Sequence, residues 1–387
     1  MPARRVLPSR YLHARPKFGP LMLIREITLF PLRLPLRKPF VISLGALTHA
    51  ENLFVRVRTV DGREGWGEAS PFPTIHGETL DGAVAIGRHL ATRLLGTPAD
   101  AAPAYTALMA RALHGNHALK SSFDLALHDL AAQAAGLPLY RYLGGSVNRT
   151  LYTDYTVSLG SREQMTADAR DIVERGFPVI KIKLGEDPQA DIERVAAIAA
   201  AVGPDIPLRL DANQGWTFDA AVVALRGMAP FNVQHCEAPI DRYEWTRLPE
   251  LRRLSPIPLM ADESCWDHHD ARRLTAIGAV DRINIKLSKS GGLHTARKII
   301  ETTDLPLQVG GFLESRLGFT AAAHLALSSP RVEFCDFDTP LMHAEDVVED
   351  GISYGPGGTV TVPEVPGLGA RLRPEYQLPS SCQITIA

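Results

Sequence analysis

Long apolar runs are missing from this 387-residue chain. None reaches the roughly 18 residues of a membrane span, so the sequence offers no transmembrane helix. An excess of charge is missing too. The 41 Lys and Arg face 43 Asp and Glu, which leaves no polybasic footprint for nucleic acid or a membrane surface. Cysteine is scarce, and Cys236, Cys265, Cys335 and Cys382 show no CxxC spacing. That argues against a disulfide framework or a zinc site, and for reduced thiols in a cytoplasmic protein. No Gly-rich turn follows a first parallel strand, as a doubly wound dinucleotide-binding sheet would require. No Ser-His-Asp arrangement is visible.

What is present has the composition of a soluble globular protein, 45% hydrophobic and 22% charged, with length for about two or three domains. Residues 1–22, "MPARRVLPSRYLHARPKFGPLM", hold five Arg/Lys, several prolines and no acid. They lack the apolar segment of a signal peptide and read as a disordered tail, with Met22 an alternative start of translation. Residues 23–36 and 52–68 read as strands, the latter a hairpin turning at Asp61-Gly62. From Glu78 to Gly136 the period becomes helical, as in "SSFDLALHDLAAQAAG". This predicts an α+β capping domain over 23–148, completed by the tail at 346–387.

Between residues 149 and 345 short apolar strands alternate with helical segments. The strands are expected at 153–159, 179–185, 207–213, 233–240, 259–264, 282–288, 306–314 and 332–338. Eight strands with intervening helices imply a parallel barrel of the (β/α) kind, an α/β fold.

The polar residues sort themselves onto these strands. In "VIKIKLG" two lysines, Lys181 and Lys183, interrupt a run that should be buried. Strand side chains alternate, so both ammonium groups point the same way, about 6–7 Å apart. Lys183, Asp211, Glu237, Asp262 and Lys286 recur about every 25 residues, one β/α unit each, at the strand ends where barrel enzymes hold their catalytic groups. Three carboxylates from adjacent strands would repel one another unless a hard divalent cation neutralised them, and all-oxygen ligation favours Mg²⁺. Zinc is disfavoured on the expectation that His235 alternates away from the interior. Lys181 is expected to lower the pKa of Lys183, with Mg²⁺ acting on the lysines from both sides, and so make a usable base. "KSGGLH" (289–294) reads as a connection before a helix, and His268-His269 as the start of a surface helix.

"KIKLG", "DANQGW", "CEAPI", "ADES" and "INIKLSKSGG", with "DLALHDLAAQAAGLPLYRYLGG", resemble the enolase superfamily over about residues 23–370. Within it the chain resembles the muconate lactonizing enzyme subgroup, which carries a lysine on each side of the metal. The resemblance implies a modified TIM barrel of (β/α)7β-like form under its capping domain. It also implies a shared first step, in which a carboxylate substrate chelates Mg²⁺, a lysine removes the α proton and the metal stabilises the enediolate. Lysines on both faces permit a 1,1-proton transfer, which is epimerisation or racemisation.

"CDFDTPLM" (335–342) narrows the reading. Asp336 and Asp338 lie two apart on the last strand and suit a substrate ammonium, although Asp338 could instead cap a short helix. The D-x-D resembles that of dipeptide epimerases, where it binds the amino terminus of an L-Ala-Xaa-type dipeptide. N-acylamino acid racemases, o-succinylbenzoate synthases and cycloisomerases of the subgroup are the alternatives. Ala-Glu epimerases that resemble this chain can carry an arginine five residues after a Pro-Phe pair. Gly45 stands there instead, and with Ile42, Leu44, Leu47, Ile75 and Phe312 it points to an apolar second residue. A small-molecule dipeptide is the expected partner, and a homo-oligomer is compatible with the sequence.

Overall fold

The computed structural model describes residues 22–377 and 384–387. The expected tail lies outside them except for Met22, as does Cys382. Met22 is buried, and its carbonyl accepts the Ala99 N–H at 2.8 Å.

Apolar alternation builds an antiparallel sheet from β1 (Ile24–Ile42), β2 (Gly45–Thr59) and β3 (Glu64–Ala69), with Ile384–Ile386 added beside β1. The turn into β3 falls at Asp61-Gly62, where Gly62 takes φ 87°, a conformation that costs glycine little. Three helices follow: α1 (Leu80–Leu94), α2 (Ala102–Ala112) and α3 (His117–Ala135). Helix α3 lies directly on β3, which explains the two glycines of "EGWGEA". A Cβ at Gly65 or Gly67 would collide with the backbone carbonyls of Ala126 and Ser122.

Eight parallel strands then run in chain order: β4 (Tyr155–Val157), β5 (Ile180–Lys183), β6 (Leu208–Asp211), β7 (Val233–Glu237), β8 (Leu259–Ala261), β9 (Arg282–Lys286), β10 (Leu307–Gly310) and β11 (Val332–Cys335). Each is followed by a helix except the last. Ser161, Asp187, Thr217, Asp267 and Ser315 cap five of those helices through their side chains, satisfying N–H groups the first turn leaves free. The Asp267 cap starts the helix at His268, as expected. After β11 the chain makes only a 3₁₀ turn, Thr339–Met342. The result is the (β/α)7β arrangement.

The sheet curls round, but between β11 and β4 the ladder is thin. A single parallel bridge joins Thr153 to Cys335. Side chains supply the rest: Phe337 N–H donates to Thr153 Oγ1 at 2.8 Å, and Thr156 N–H donates to Asp338 Oδ2 at 2.6 Å. This seam is where the D-x-D sits.

Two devices fix the sheet of β1–β3 to the barrel. Glu68 is buried, and its carboxylate accepts from the N–H groups of Ser315 and Gly318 and from Ser315 Oγ, all at the start of a barrel helix, as well as from Asn52 Nδ2. The β1–β2 hairpin reaches over the mouth, where Ser43 Oγ donates to Ala212 O at 3.2 Å and Asn213 O at 3.0 Å. The C-terminal segment touches both the cap and the barrel. Thr359–Thr361 pairs with Leu151–Tyr152 at the entry to the barrel, and only Ile384–Ile386 pairs with β1. Between them, Gly367 O accepts the Leu139 N–H at 2.8 Å and Leu368 N–H donates to Asp129 Oδ1 at 2.8 Å, both on the cap, while Arg316 of a barrel helix donates to the carbonyls of Val348, Asp350 and Ile352.

Gly67→Ala should destabilise the protein by about 3 kcal/mol, because the methyl must push a helix backbone off the sheet. A shift in the urea midpoint at unchanged slope measures this; an unshifted midpoint would show that α3 can move aside.

Candidate active site

Strand period and barrel register bring the expected residues to one end of the barrel. Lys183, Asp211, Glu237 and Lys286 are the last residues of β5, β6, β7 and β9, and Asp262 follows β8 directly. Register aligns Lys183 with Asp211 and Asp211 with Glu237. All are buried, the three carboxylates completely. Lys183 stands on the second strand and Lys286 on the sixth of eight, so they face each other across the ring. The three carboxylates occupy the arc between them, and Asp336 and Asp338 follow the eighth strand on the other arc.

Each ammonium rests on a carboxylate. Lys183 Nζ lies 2.7 Å from Asp211 Oδ2, and Lys286 Nζ lies 2.7 Å from Asp262 Oδ2. Lys181 is a hub, 2.7 Å from Asp336, 2.9 Å from Glu237 and 3.3 Å from Asp211. Its charge is thus shared among three acids. Burial pulls the Lys181 ammonium down, but Asp336, Glu237 and Asp211 outweigh it and hold it well above the ordinary lysine value. Burial acts likewise on Lys286, where Asp262 and Glu237 prevail and the net shift is again upward. Carboxylates, not cations, dominate the surroundings of these two lysines.

An aromatic ring covers each of the facing lysines. Lys183 Nζ is 5.7 Å from the Phe40 ring centroid and Lys286 Nζ is 4.7 Å from that of Phe312. Ile42, Phe72, Ile75 and Phe312 line the same cavity as Asp336 and Asp338. Gly45 does not. It lies at the exposed hairpin tip, as does Leu44.

His235 corrects a second expectation. It is two residues from Glu237 and so shares its face, one layer deeper in the barrel. It is 1% exposed, with its ring 5.3 Å from that of Phe334. Burial, then Arg209, keeps it well below the usual histidine range. Lys289, passed over as part of a glycine-rich connection, is fully buried and donates to Asp262 Oδ1 at 2.6 Å. The turn that carries it, Leu287–Ser290, reads L-S-K-S and gives no sign of burial in the sequence. Asn284 and Gln308 donate to Glu237 at 2.7 and 3.3 Å. They stand two residues before Lys286 and Gly310, a spacing that could have found them.

The oxygen-only donor set of Asp211, Glu237 and Asp262 suits a hard divalent cation. Beside it Glu263, 1% exposed, has no hydrogen-bond partner for either carboxylate oxygen among the described residues. Burial, then the Asp262 charge, raises it to about 8. Such an orphaned carboxylate fits a position next to a cation. Among the described residues, the carboxylates that converge within 4.8 Å are a different trio, Asp154, Asp336 and Asp338; lysines bridge the first three. Asp338 precedes the 3₁₀ turn but makes no side-chain cap to it; its carboxylate goes to Thr156 N–H instead.

Residues 24–144 match the family model described as mandelate racemase / muconate lactonizing enzyme, N-terminal domain, and residues 164–376 match that of the enolase C-terminal domain-like family. A D-Ala-D/L-Ala epimerase of Cytophaga hutchinsonii is 49% identical over 92% of this chain and 97% of its own length. An L-Ala-D/L-Glu epimerase of Bacillus subtilis is 40% identical over 90% and 96%. A solved dipeptide epimerase of C. hutchinsonii, in complex with Mg and D-Ala-L-Val, superposes with a TM-score of 0.93 at 48% identity, covering 95% of this chain and all of that one. These relatives are isomerases. The chain belongs to the mandelate racemase / muconate lactonizing enzyme family of the enolase superfamily.

Proposed function

We propose that the chain is a Mg²⁺-dependent dipeptide epimerase that inverts the α carbon of the C-terminal residue, and that this residue is apolar. The observation that carries the proposal is the pair of lysines facing each other across the ring, with one set of carboxylates on each arc between them. A dipeptide laid across the mouth would turn its carboxylate to the Asp211–Glu237–Asp262 arc and its ammonium to Asp336 and Asp338. Its α carbon would then lie between Lys183 and Lys286.

Asp211, Glu237 and Asp262 would hold Mg²⁺, whose charge favours loss of a proton from the carbon next to a bound carboxylate. One lysine, as the neutral amine, takes the α proton from its face, and the other, as the ammonium, returns a proton from the opposite face. Reversal of roles serves the other stereoisomer. Phe40 and Phe312 keep water from the two nitrogens, which strengthens every charge interaction in the cavity. Lys181, tied to Asp336, Glu237 and Asp211, orients both arcs and is not a base. Ile42, Phe72, Ile75 and Phe312 offer no cation to a side-chain carboxylate, which supports an apolar second residue. The two named relatives act on dipeptides that begin with alanine, one of D and one of L configuration.

Ala-Xaa dipeptides with either alanine configuration, incubated with enzyme and Mg²⁺ in D₂O, should take up deuterium at the second α carbon when Xaa is apolar. Ala-Glu should be slower by roughly 100-fold, the cost of burying an unpaired charge. N-acetylation of the best substrate should lower kcat/KM by about 10- to 150-fold, since it removes a charge-assisted contact. Equal turnover of the acetylated form would favour an N-acylamino acid racemase instead.

Lys183→Ala and Lys286→Ala should each abolish epimerisation, while each retains solvent exchange of the α proton in one stereoisomer. Epimerisation that survives in Lys286→Ala rules out the two-base scheme. Chelation should remove activity and Mg²⁺ restore it; activity that persists after exhaustive chelation contradicts the metal assignment.

A further inference from the structure

Beneath the D-x-D lies a third carboxylate. Asp154 precedes β4 and shares a face with Thr156, whose N–H holds Asp338. It is wholly buried, and one carboxylate oxygen from each of Asp154, Asp336 and Asp338 lies within 4.8 Å of the other two. Its Oδ2 accepts from Arg209 at 2.7 Å, and its Oδ1 has no hydrogen-bond partner among the described residues. Arg209 is itself fixed, donating also to Cys335 O at 3.0 Å and Gln234 Oε1 at 3.0 Å. Three acids thus have two cations at ion-pair distance, Arg209 and Lys181, and Lys181 is shared with Glu237 and Asp211, while Lys183 and Lys286 act on Asp336 from farther off, each paired with an acid of its own. At least one negative charge is left without a counterpart. Asp336 and Asp338 open to the cavity, while Asp154 closes the cluster from below.

We propose that Asp154 is a positioning residue of the ammonium site, whose charge leaves the Asp336–Asp338 pair one cation short, and that a substrate's primary ammonium is that cation. The inference rests on the dipeptide reading above. A buried, uncompensated charge is costly and is relieved either by a proton or by a cation. The cluster bears the marks of this. Burial, then Asp336, holds Asp154 well above the usual aspartate range, and the same two causes raise Asp338 to about 7. The other charged and titratable groups around the cluster are Lys181, Lys183, Lys286, Arg209, His235, Tyr155 and Tyr354. An arriving ammonium therefore displaces a proton from the cluster and takes its place.

The test compares a free dipeptide with its des-amino counterpart, in which hydrogen replaces the amino group, on Mg²⁺-loaded enzyme. In Asp154→Asn, KM for the dipeptide should rise about tenfold while kcat changes far less. The preference for the amine over the des-amino compound should shrink by the same factor. A merely structural role would lower both substrates together, and an unchanged preference overturns the proposal. If the native enzyme turns over no dipeptide, the functional reading fails; if it does and the variant keeps the full preference, only this inference fails. Calorimetry of the native enzyme at pH 6.5, in two buffers of different ionisation enthalpy, covers the case in which the variant does not fold. Dipeptide binding should release more protons than des-amino binding, and equal release counts against the proposal. A second equivalent of Mg²⁺ bound by the native enzyme and lost in Asp154→Asn would make the trio a metal site and also overturn it.

Discussion

A carboxylate taken out of water needs a cation, hydrogen-bond donors or a proton, and the upper barrel is arranged around that demand. Asp211, Glu237, Asp262 and Asp336 are all buried, and each touches at least one lysine at 2.9 Å or less. The pairs are not interchangeable. Lys181 binds three acids, which ties one arc of the ring to the other. Lys286 and Lys289 share Asp262 and hold it well below the usual carboxylate range against the opposite pull of burial. Removal of Lys181 would leave Asp336 without an ion-pair partner among the described residues, so the site and the stability of this end of the barrel depend on the same contacts.

The barrel distributes these charges by count. Because each β/α unit advances one strand, residues about 100 positions apart, such as Lys183 and Lys286, meet across the ring. The acids in the intervening units are thereby placed on one side and those after the last strand on the other. The seam between β11 and β4 adds something the regular part cannot. With little ladder there, backbone N–H groups are free, and Thr156 gives its own to Asp338. The acid that would meet a substrate's charge is also one of the contacts that close the barrel.

Much of this was legible before any coordinates. All eight barrel strands lie inside the stretches read from apolar runs, and the hairpin turn at Asp61-Gly62 and the helix starts at His268 and Leu293 fall where local chemistry puts them. Two misreadings have physical causes. His235 was sent to the outer face, but a residue two positions from Glu237 must share its side, and it faces inward. Gly45 was grouped with the cavity because it stands where Ala-Glu epimerases can carry an arginine, whereas the hairpin carries its tip past the cavity into solvent.

The sequence by itself determined the period-2 faces, the one-unit spacing of the charged strand ends and the local caps, since each depends on residues a few positions apart. Which ammonium meets which carboxylate was decided only by the tertiary structure. So were the burial of Lys289 beneath Asp262, the orphaned oxygens of Glu263 and the gathering of Asp154, Asp336 and Asp338 at the seam. Those contacts join residues up to 184 positions apart, and their energies depend on burial and on distances of a few ångströms. Neither exists until the barrel has closed.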